Sequence, residues 1–253
     1  MTVAVDLHHR VDGREGAPNL VLLHAIGTSM QMWAPQVPVL ARDHRVISID
    51  LRGHGRSPVP PAPYSMRELA GDVVAFLDRL EIERASICGL SLGAMVGVTI
   101  AAMAPDRVDR LIAASVVAVP ASAAGWRERA QRVLAGGSAA VSDLVVERWG
   151  YQGRAPAIAE FVREMLAATP PEGYAGCCEA IAGMDLRPDL PLVTAPALLL
   201  AGSADPSAPA SVAREMATAM PDARVTVIDG AAHLLNVEAP TATTEAILEH
   251  LRR

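Results

Sequence analysis

The stretch Gly89-Leu90-Ser91-Leu92-Gly93 constrains the fold more than any other, because it joins two kinds of secondary structure through a sharp turn. The apolar residues before it are typical of a strand, and residues 92–104 are typical of a helix. Glycine on both sides of the serine removes the Cβ atoms that would collide across so tight a bend. The pattern therefore predicts a strand, a strained turn and a helix, with the hydroxyl of Ser91 exposed as a candidate nucleophile.

The helix after Ser91 gives this turn a second chemical property. The first N–H groups of a helix have no partner inside it, so they can stabilise negative charge on a group bonded to Ser91. The N–H of Leu92 is therefore a candidate oxyanion donor. The same residues are also compatible with a glycine-rich turn that carries a helix-capping serine, so other parts of the chain must decide between the two.

Short apolar runs alternate with helical patterns over most of the chain, which predicts one α/β domain with a largely parallel sheet. Residues 2–11 are strand-rich and precede the turn signal Asp12-Gly13, so we expect a hairpin-like antiparallel pair at the start. The buried strands that follow are expected at residues 19–25, 44–50, 84–89, 108–117, 197–201 and 224–229. The loop Ile26-Gly27-Thr28 follows the first of these, at the sheet edge where such folds place ligands, so the N–H of Ile26 is a candidate second oxyanion donor.

The alternation of strands and helices stops between Pro120 and about Leu186. Three or four helical patterns follow one another there, separated by glycine and proline pairs. This predicts a helical cap of residues 120–186 inserted into a core that is formed by residues 1–119 and 187–253.

A serine hydroxyl is a poor nucleophile at neutral pH and needs a base, for which histidine is well suited. His233 is the candidate, because it follows the last predicted strand, at the same edge of the sheet. Asp205 follows the preceding strand and would hold the imidazole in the required tautomer, although Asp-Pro is also a common turn initiator. The chain order Ser91, Asp205, His233 is the order of α/β-hydrolases and differs from that of two unrelated protease folds.

Composition excludes several other classes of function. The formal net charge is -6 and the arginines are scattered, which argues against a nucleic-acid surface. No apolar stretch reaches the length of a membrane helix and no signal peptide is apparent, so we expect a cytoplasmic protein without membrane partners. The sequence lacks a spaced Cys/His ligand set, so no metal or cofactor is expected, and its three cysteines do not indicate a disulfide framework.

Taken together, these residues resemble the α/β-hydrolase superfamily across nearly the whole chain. The resemblance implies an α/β-hydrolase fold, with a mostly parallel eight-stranded sheet flanked by helices and an inserted helical cap. Within the superfamily the chain is similar to the 3-oxoadipate enol-lactonases, which open a lactone in aromatic-acid breakdown. The residues that carry this second similarity are Gly27-Thr28, Met32-Trp33, Tyr64-Ser65, Gly89–Gly93, Pro170–Cys178 and Met184–Arg187.

The similarity to the enol-lactonases implies roles for residues of the cap. Trp126 and Arg129 reproduce a Trp-x-x-Arg pattern of that family, and their spacing of three puts both on one helix face. Arg129 is thereby a candidate clamp for a substrate carboxylate, whereas the alternative is an exposed arginine beside a core tryptophan. Trp149 is a further candidate substrate contact, and Gly150 after it departs from the phenylalanine usual in that family.

We therefore expect a hydrolase that opens a small lactone or cleaves a small ester through an acyl-enzyme, without a cofactor. C–C bond hydrolysis and a lyase or cyclase step on the same residues remain open, since fold alone does not fix a reaction. A perhydrolase or haloperoxidase would favour an aromatic residue at the position of Ile26. A receptor-like module without activity is the alternative from a different class.

Overall fold

The structure, a computed structural model, describes residues 4–253. Within this range seven strands form one sheet, in the order β1-β3-β2-β4-β5-β6-β7, and all neighbouring pairs except β1 with β3 are parallel. The strands are β1 (His9–Asp12), β2 (Asn19–Leu23), β3 (Arg45–Ile49), β4 (Ala85–Leu90), β5 (Val108–Ala114), β6 (Ala197–Gly202) and β7 (Ala223–Ile228). The predicted α/β fold is confirmed, with one strand fewer in residues 4–253 than the eight expected.

The predicted N-terminal hairpin is wrong. Thr2 and Val3 lie outside the described residues, and residues 4–8 pair with no strand. Their backbone is bonded elsewhere, since the N–H of Val5 donates to Asp72 Oδ1 (3.0 Å) and that of His8 donates to Ser57 Oγ (2.8 Å). Strand β2 is flanked by β3 and β4 and has no free edge, so β1 pairs with the outer side of β3 instead. A single antiparallel edge strand replaces the hairpin.

Helices cover both faces of the sheet. They are α1 (Val37–Leu40), α2 (Met66–Arg79), α3 (Leu92–Met103), α4 (Ala123–Gly136), α5 (Ser142–Arg148), α6 (Pro156–Ala167), α7 (Pro171–Ala182), α8 (Ala210–Ala219), α9 (Leu235–Glu238) and α10 (Pro240–Leu251). Short 3₁₀ turns occupy Met30–Trp33, Pro105–Arg107, Ser138–Val141 and Leu190–Leu192. Helix α2 begins with a capping box, in which the side chains of Ser65 and Glu68 each accept a backbone N–H of the other residue.

Helices α4 to α7 lie between β5 and β6, and α4 packs against α7. We call residues 123–182 the helical segment. The division of the chain into a core and a cap at residues 120 and 186 stays a prediction. Strand β4 is buried along its whole length because helices cover both sides, and parallel pairing brings the carboxyl ends of β2, β4, β5, β6 and β7 to one edge. The loops at that edge carry the predicted site residues.

Candidate active site

Ser91 occupies the strained turn that the sequence predicts between β4 and α3. Its backbone has φ 54° and ψ −114°, a conformation that L residues rarely adopt, and its N–H donates to the carbonyl of Ala114 (2.8 Å). The two glycines are required by close backbone contacts. A Cβ on Gly89 would lie 2.2 Å from the carbonyl oxygen of Gly93, and a Cβ on Gly93 would lie 2.3 Å from that of Leu23.

Two backbone N–H groups beside Ser91 are unpaired in the described part of the chain, those of Ile26 and Leu92. Leu92 is the first residue of α3, so its N–H has no acceptor within the helix. Ile26 belongs to the loop after β2, in which Gly27 has φ +71°. A pair of such N–H groups can stabilise an oxyanion.

Two buried histidines support the loop that contains Ile26. His54 Nε2 accepts the N–H of Gly27 (2.9 Å) and His24 Nε2 accepts that of Leu51 (2.9 Å). The Nδ1 atom of each ring faces a carbonyl oxygen, to which it can only donate. Both imidazoles are therefore neutral. Burial lowers the pKa of His24, and burial together with the neighbouring His24 lowers the pKa of His54 to about 3.

Asp205 and His233 form a buried pair on the loops after β6 and β7. Asp205 Oδ2 lies 2.8 Å from Nδ1 of His233, and Oδ1 accepts the N–H groups of Ser207 (2.8 Å) and Ala208 (3.1 Å). Burial by itself raises the pKa of Asp205, but His233 and these two N–H groups outweigh burial and lower it. The carboxylate is thus ionised and positioned to fix the imidazole tautomer.

Ser91 and His233 line one cavity of about 1260 Å³, together with Ile26. His233 Nε2 is buried and has no hydrogen-bond partner, so Ser91 Oγ does not bond to it in this structure. The structure thus places Asp205 against His233 and brings both Ser91 and His233 to the cavity. This arrangement can support nucleophilic attack by a serine with histidine as the base.

Arg129 lies on the wall of the same cavity and is only 4% exposed. Its guanidinium carbon lies 4.3 Å from the ring centroid of Trp126, and its Nη1 donates to the hydroxyl of Tyr174 at 3.4 Å. No carboxylate of residues 4–253 pairs with it. The alternative of an exposed arginine is therefore wrong, and most of its donors are available to an anion in the cavity.

Trp149, the third predicted substrate contact, lines the cavity but also stacks on His233. Their ring centroids lie 5.0 Å apart, with 29° between the planes. Sequence reasoning missed Ser115 and Tyr151. Ser115 has φ 49° and its Oγ donates to the carbonyl of His233 (2.8 Å), while the hydroxyl of Tyr151 accepts the N–H of Leu234 (2.7 Å). No local sequence pattern marks these two residues.

No group of three His, Cys, Asp or Glu side chains among residues 4–253 is arranged to hold a metal ion. No helix of that range has the length and apolar character needed to cross a membrane. The three cysteines are buried and free, and burial raises their pKa, that of Cys178 to about 12.

Several known proteins are similar to this chain over nearly its whole length. The relative 3-oxoadipate enol-lactonase 2 of Acinetobacter baylyi is 34% identical over 252 residues, which cover 98% of this chain and 94% of the relative. The crystal structure of the enol-lactonase from Burkholderia xenovorans LB400 has a TM-score of 0.93 at 38% identity, covering 98% of this chain and 97% of that one. A thermophilic esterase from Thermogutta terrifontis, with malate bound, has a TM-score of 0.92 at 30% identity, covering 98% and 93%.

A sequence profile described as the alpha/beta hydrolase family matches residues 20–246. The profile spans most of the chain, and the relatives above match nearly all of it at 30% identity or more. The chain therefore belongs to the alpha/beta hydrolase family, and it is a hydrolase.

Proposed function

We propose that the protein is a serine hydrolase that opens a small lactone, or cleaves a small carboxylic ester, through an acyl-enzyme on Ser91. The observation that carries the proposal is the pairing of Asp205 with His233, a histidine that lines the same cavity as Ser91 and whose Nε2 has no hydrogen-bond partner. The named enol-lactonase relatives and the esterase neighbour support the substrate class.

The proposed reaction begins when Ser91 Oγ attacks the carbonyl carbon of the substrate and its proton passes to His233 Nε2. The N–H groups of Ile26 and Leu92 stabilise the oxyanion of the tetrahedral intermediate. The carbon–oxygen bond of the ring or ester then breaks, and His233 returns the proton to the leaving oxygen. Water attacks the acyl-enzyme with His233 again acting as the base, which releases the acid and regenerates Ser91.

The proposed substrate carries a carboxylate that binds Arg129. A guanidinium that is 96% buried without a carboxylate partner is costly unless a ligand pairs with it. Its planar fork matches a carboxylate bidentately, and Trp126 offers an apolar surface beside it. A lactone acid of the 3-oxoadipate enol-lactone type has a carboxylate for Arg129 and an apolar part that can lie against Trp126. The helical segment would act as the cap that recognises it.

A second candidate, hydrolysis of larger esters, is favoured by the size of the cavity. A volume of about 1260 Å³ exceeds the roughly 300–1000 Å³ typical of small-molecule sites. The cavity continues past Ser91 to apolar side chains of α8, Val212 and Met216. An ester with a bulky acyl or alcohol group therefore fits as well as a small lactone.

The test combines covalent labelling with a substrate panel. A fluorophosphonate probe should modify Ser91, identified by peptide mapping, and the enzyme should hydrolyse lactones and esters offered with and without a carboxylate. Ser91→Ala should lose both labelling and turnover. Turnover that persists in Ser91→Ala contradicts the serine mechanism. Labelling without turnover of any ester or lactone points to C–C hydrolysis, a lyase or a cyclase, and the absence of both points to a receptor-like module.

A further inference from the structure

The connection between α5 and α6 contacts the loop that carries His233. We call residues 148–151 the strap. The N–H of His233 donates to the carbonyl oxygen of Trp149 (3.3 Å), and the N–H of Leu234 donates to the hydroxyl oxygen of Tyr151 (2.7 Å). The indole of Trp149 also stacks on the imidazole. The strap therefore contacts both the backbone and the ring of the candidate base.

The strap contacts the loop after β6 as well. Ser207 Oγ donates to the carbonyl oxygen of Arg148 (2.5 Å). Gly150 has φ +81°, and a Cβ there would lie 3.1 Å from Cδ of Pro206 and 3.2 Å from Cβ of Ala232. The strap is thus packed between the loops that carry Asp205 and His233. The packing is so close that a side chain at residue 150 would displace the strap from these loops.

The remaining contacts of His233 leave the direction of its ring incompletely defined. Nδ1 bonds to Asp205, and the carbonyl oxygen accepts the hydroxyl of Ser115, but Nε2 has no partner. One hydrogen bond, at Nδ1, permits the imidazole ring to tilt about that atom. The stacked indole restricts this tilt, and so do the hydrogen bonds that the N–H groups of His233 and Leu234 donate to the strap.

We propose that Trp149 and Tyr151 are positioning residues for His233, so that the helical segment orients the base in addition to covering the site. This inference rests on the proposed function, in which Nε2 of His233 must meet Ser91 Oγ. A displacement of about 1 Å at a reacting group costs on the order of 100-fold in rate. The strap is therefore expected to affect turnover more than substrate affinity.

The first experiment removes one hydroxyl from the strap. Tyr151→Phe leaves the N–H of Leu234 without its acceptor and keeps the ring. Its matched control is Tyr64→Phe, which removes a hydroxyl that donates to the carbonyl of Pro60 (2.6 Å) and does not line the cavity. We expect Tyr151→Phe to lower kcat by about 10- to 100-fold with KM changed less than about twofold. The control should keep the kcat of the wild type, and thermal unfolding of both variants reports the cost in stability separately.

The second experiment asks whether the effect passes through His233. The low-field proton NMR signal of the His233 Nδ1–H should shift in Tyr151→Phe and in Trp149→Leu, and Trp149→Phe should retain it in part because a smaller ring can still stack. In a His233→Ala background, Tyr151→Phe should cause no further loss of the residual rate. An equal kcat for Tyr151→Phe and Tyr64→Phe, or an undiminished effect in the His233→Ala background, overturns the inference. Full activity of His233→Ala instead overturns the proposed function itself.

Discussion

The two sides of the candidate site are held in place by different means. The nucleophile side comprises the loops after β2 and β4, with Ile26 and Ser91, and it is fixed by backbone hydrogen bonds, close glycine contacts and the imidazole of His54. The base side comprises the loops after β6 and β7, with Asp205 and His233, and it depends on β5 and on the strap. A short local sequence thus encodes the strained turn of Ser91, although contacts with His24 and Ala114 also hold that turn, whereas no local sequence encodes the orientation of the base.

The largest effect is expected from a substitution that removes the nucleophilic hydroxyl and leaves the fold of its loop unchanged. Ser91→Ala should lower kcat by on the order of 10⁶, because Ser91, His233 and Asp205 act as one unit. Ser91 Oγ has no hydrogen-bond partner within residues 4–253, so the thermal unfolding midpoint should stay near that of the wild type. Single-turnover assays and calorimetry measure the two quantities. Activity above a few per cent of the wild type contradicts the assignment.

On the base side, Asp205→Asn is expected to cost less, on the order of 10⁴ in kcat, because Ser91 and its oxyanion donors remain. An amide no longer holds the imidazole in the Nδ1–H tautomer. The matched control is Asp229→Asn, an exposed aspartate at the end of β7 that accepts a hydrogen bond from Ser203. Steady-state kinetics should show normal turnover for this control. Equal losses in the two variants would mean that Asp205 has no special role.

The same contrast explains what the sequence could predict. Gly-x-Ser-x-Gly encodes its turn locally, and Asp205 and His233 follow strands whose parallel order brings them together. Ser115 and Tyr151 reach the base side from 118 and 83 residues away, and no local pattern records such contacts. The prediction of an N-terminal hairpin is wrong for the same reason, since β1 pairs with β3 and not with a strand next to it in the sequence.

Arg129 belongs to neither side of the site, and it would act on substrate binding alone. Arg129→Ala should lose about 2–4 kcal/mol of transition-state binding for a lactone that carries a carboxylate, or about 30- to 1000-fold in kcat/KM. A neutral lactone should be nearly unaffected. Arg127→Ala is the matched control, since Arg127 lies on the same helix but is exposed and close to Glu179 (3.6 Å).

The decisive quantity is the ratio of kcat/KM for the charged lactone to that for the neutral one. Arg129→Ala should lower this ratio, and Arg127→Ala should leave it at the value of the wild type. A ratio that Arg129→Ala does not change removes Arg129 from the substrate site and leaves the buried guanidinium with a structural role.

The smallest effect is expected in the acid stability of the nucleophile side. The pKa of His24 and that of His54 are lowered in the folded state, that of His54 to about 3, so the unfolded chain binds protons more readily as pH falls below about 6.5. The stability that these two neutral histidines contribute is complete above pH 6.5, and it is lost as pH falls from 6.5 towards their pKa in the folded state. Well below pH 6.5, neutral His54 should thus steepen the loss of unfolding free energy by about 1.4 kcal/mol per pH unit, and His24 should act in the same direction. Urea unfolding between pH 7.5 and 5 measures this slope. In His54→Gln the amide oxygen can still accept the N–H of Gly27 but cannot titrate, so a slope equal to that of the wild type would contradict a neutral His54.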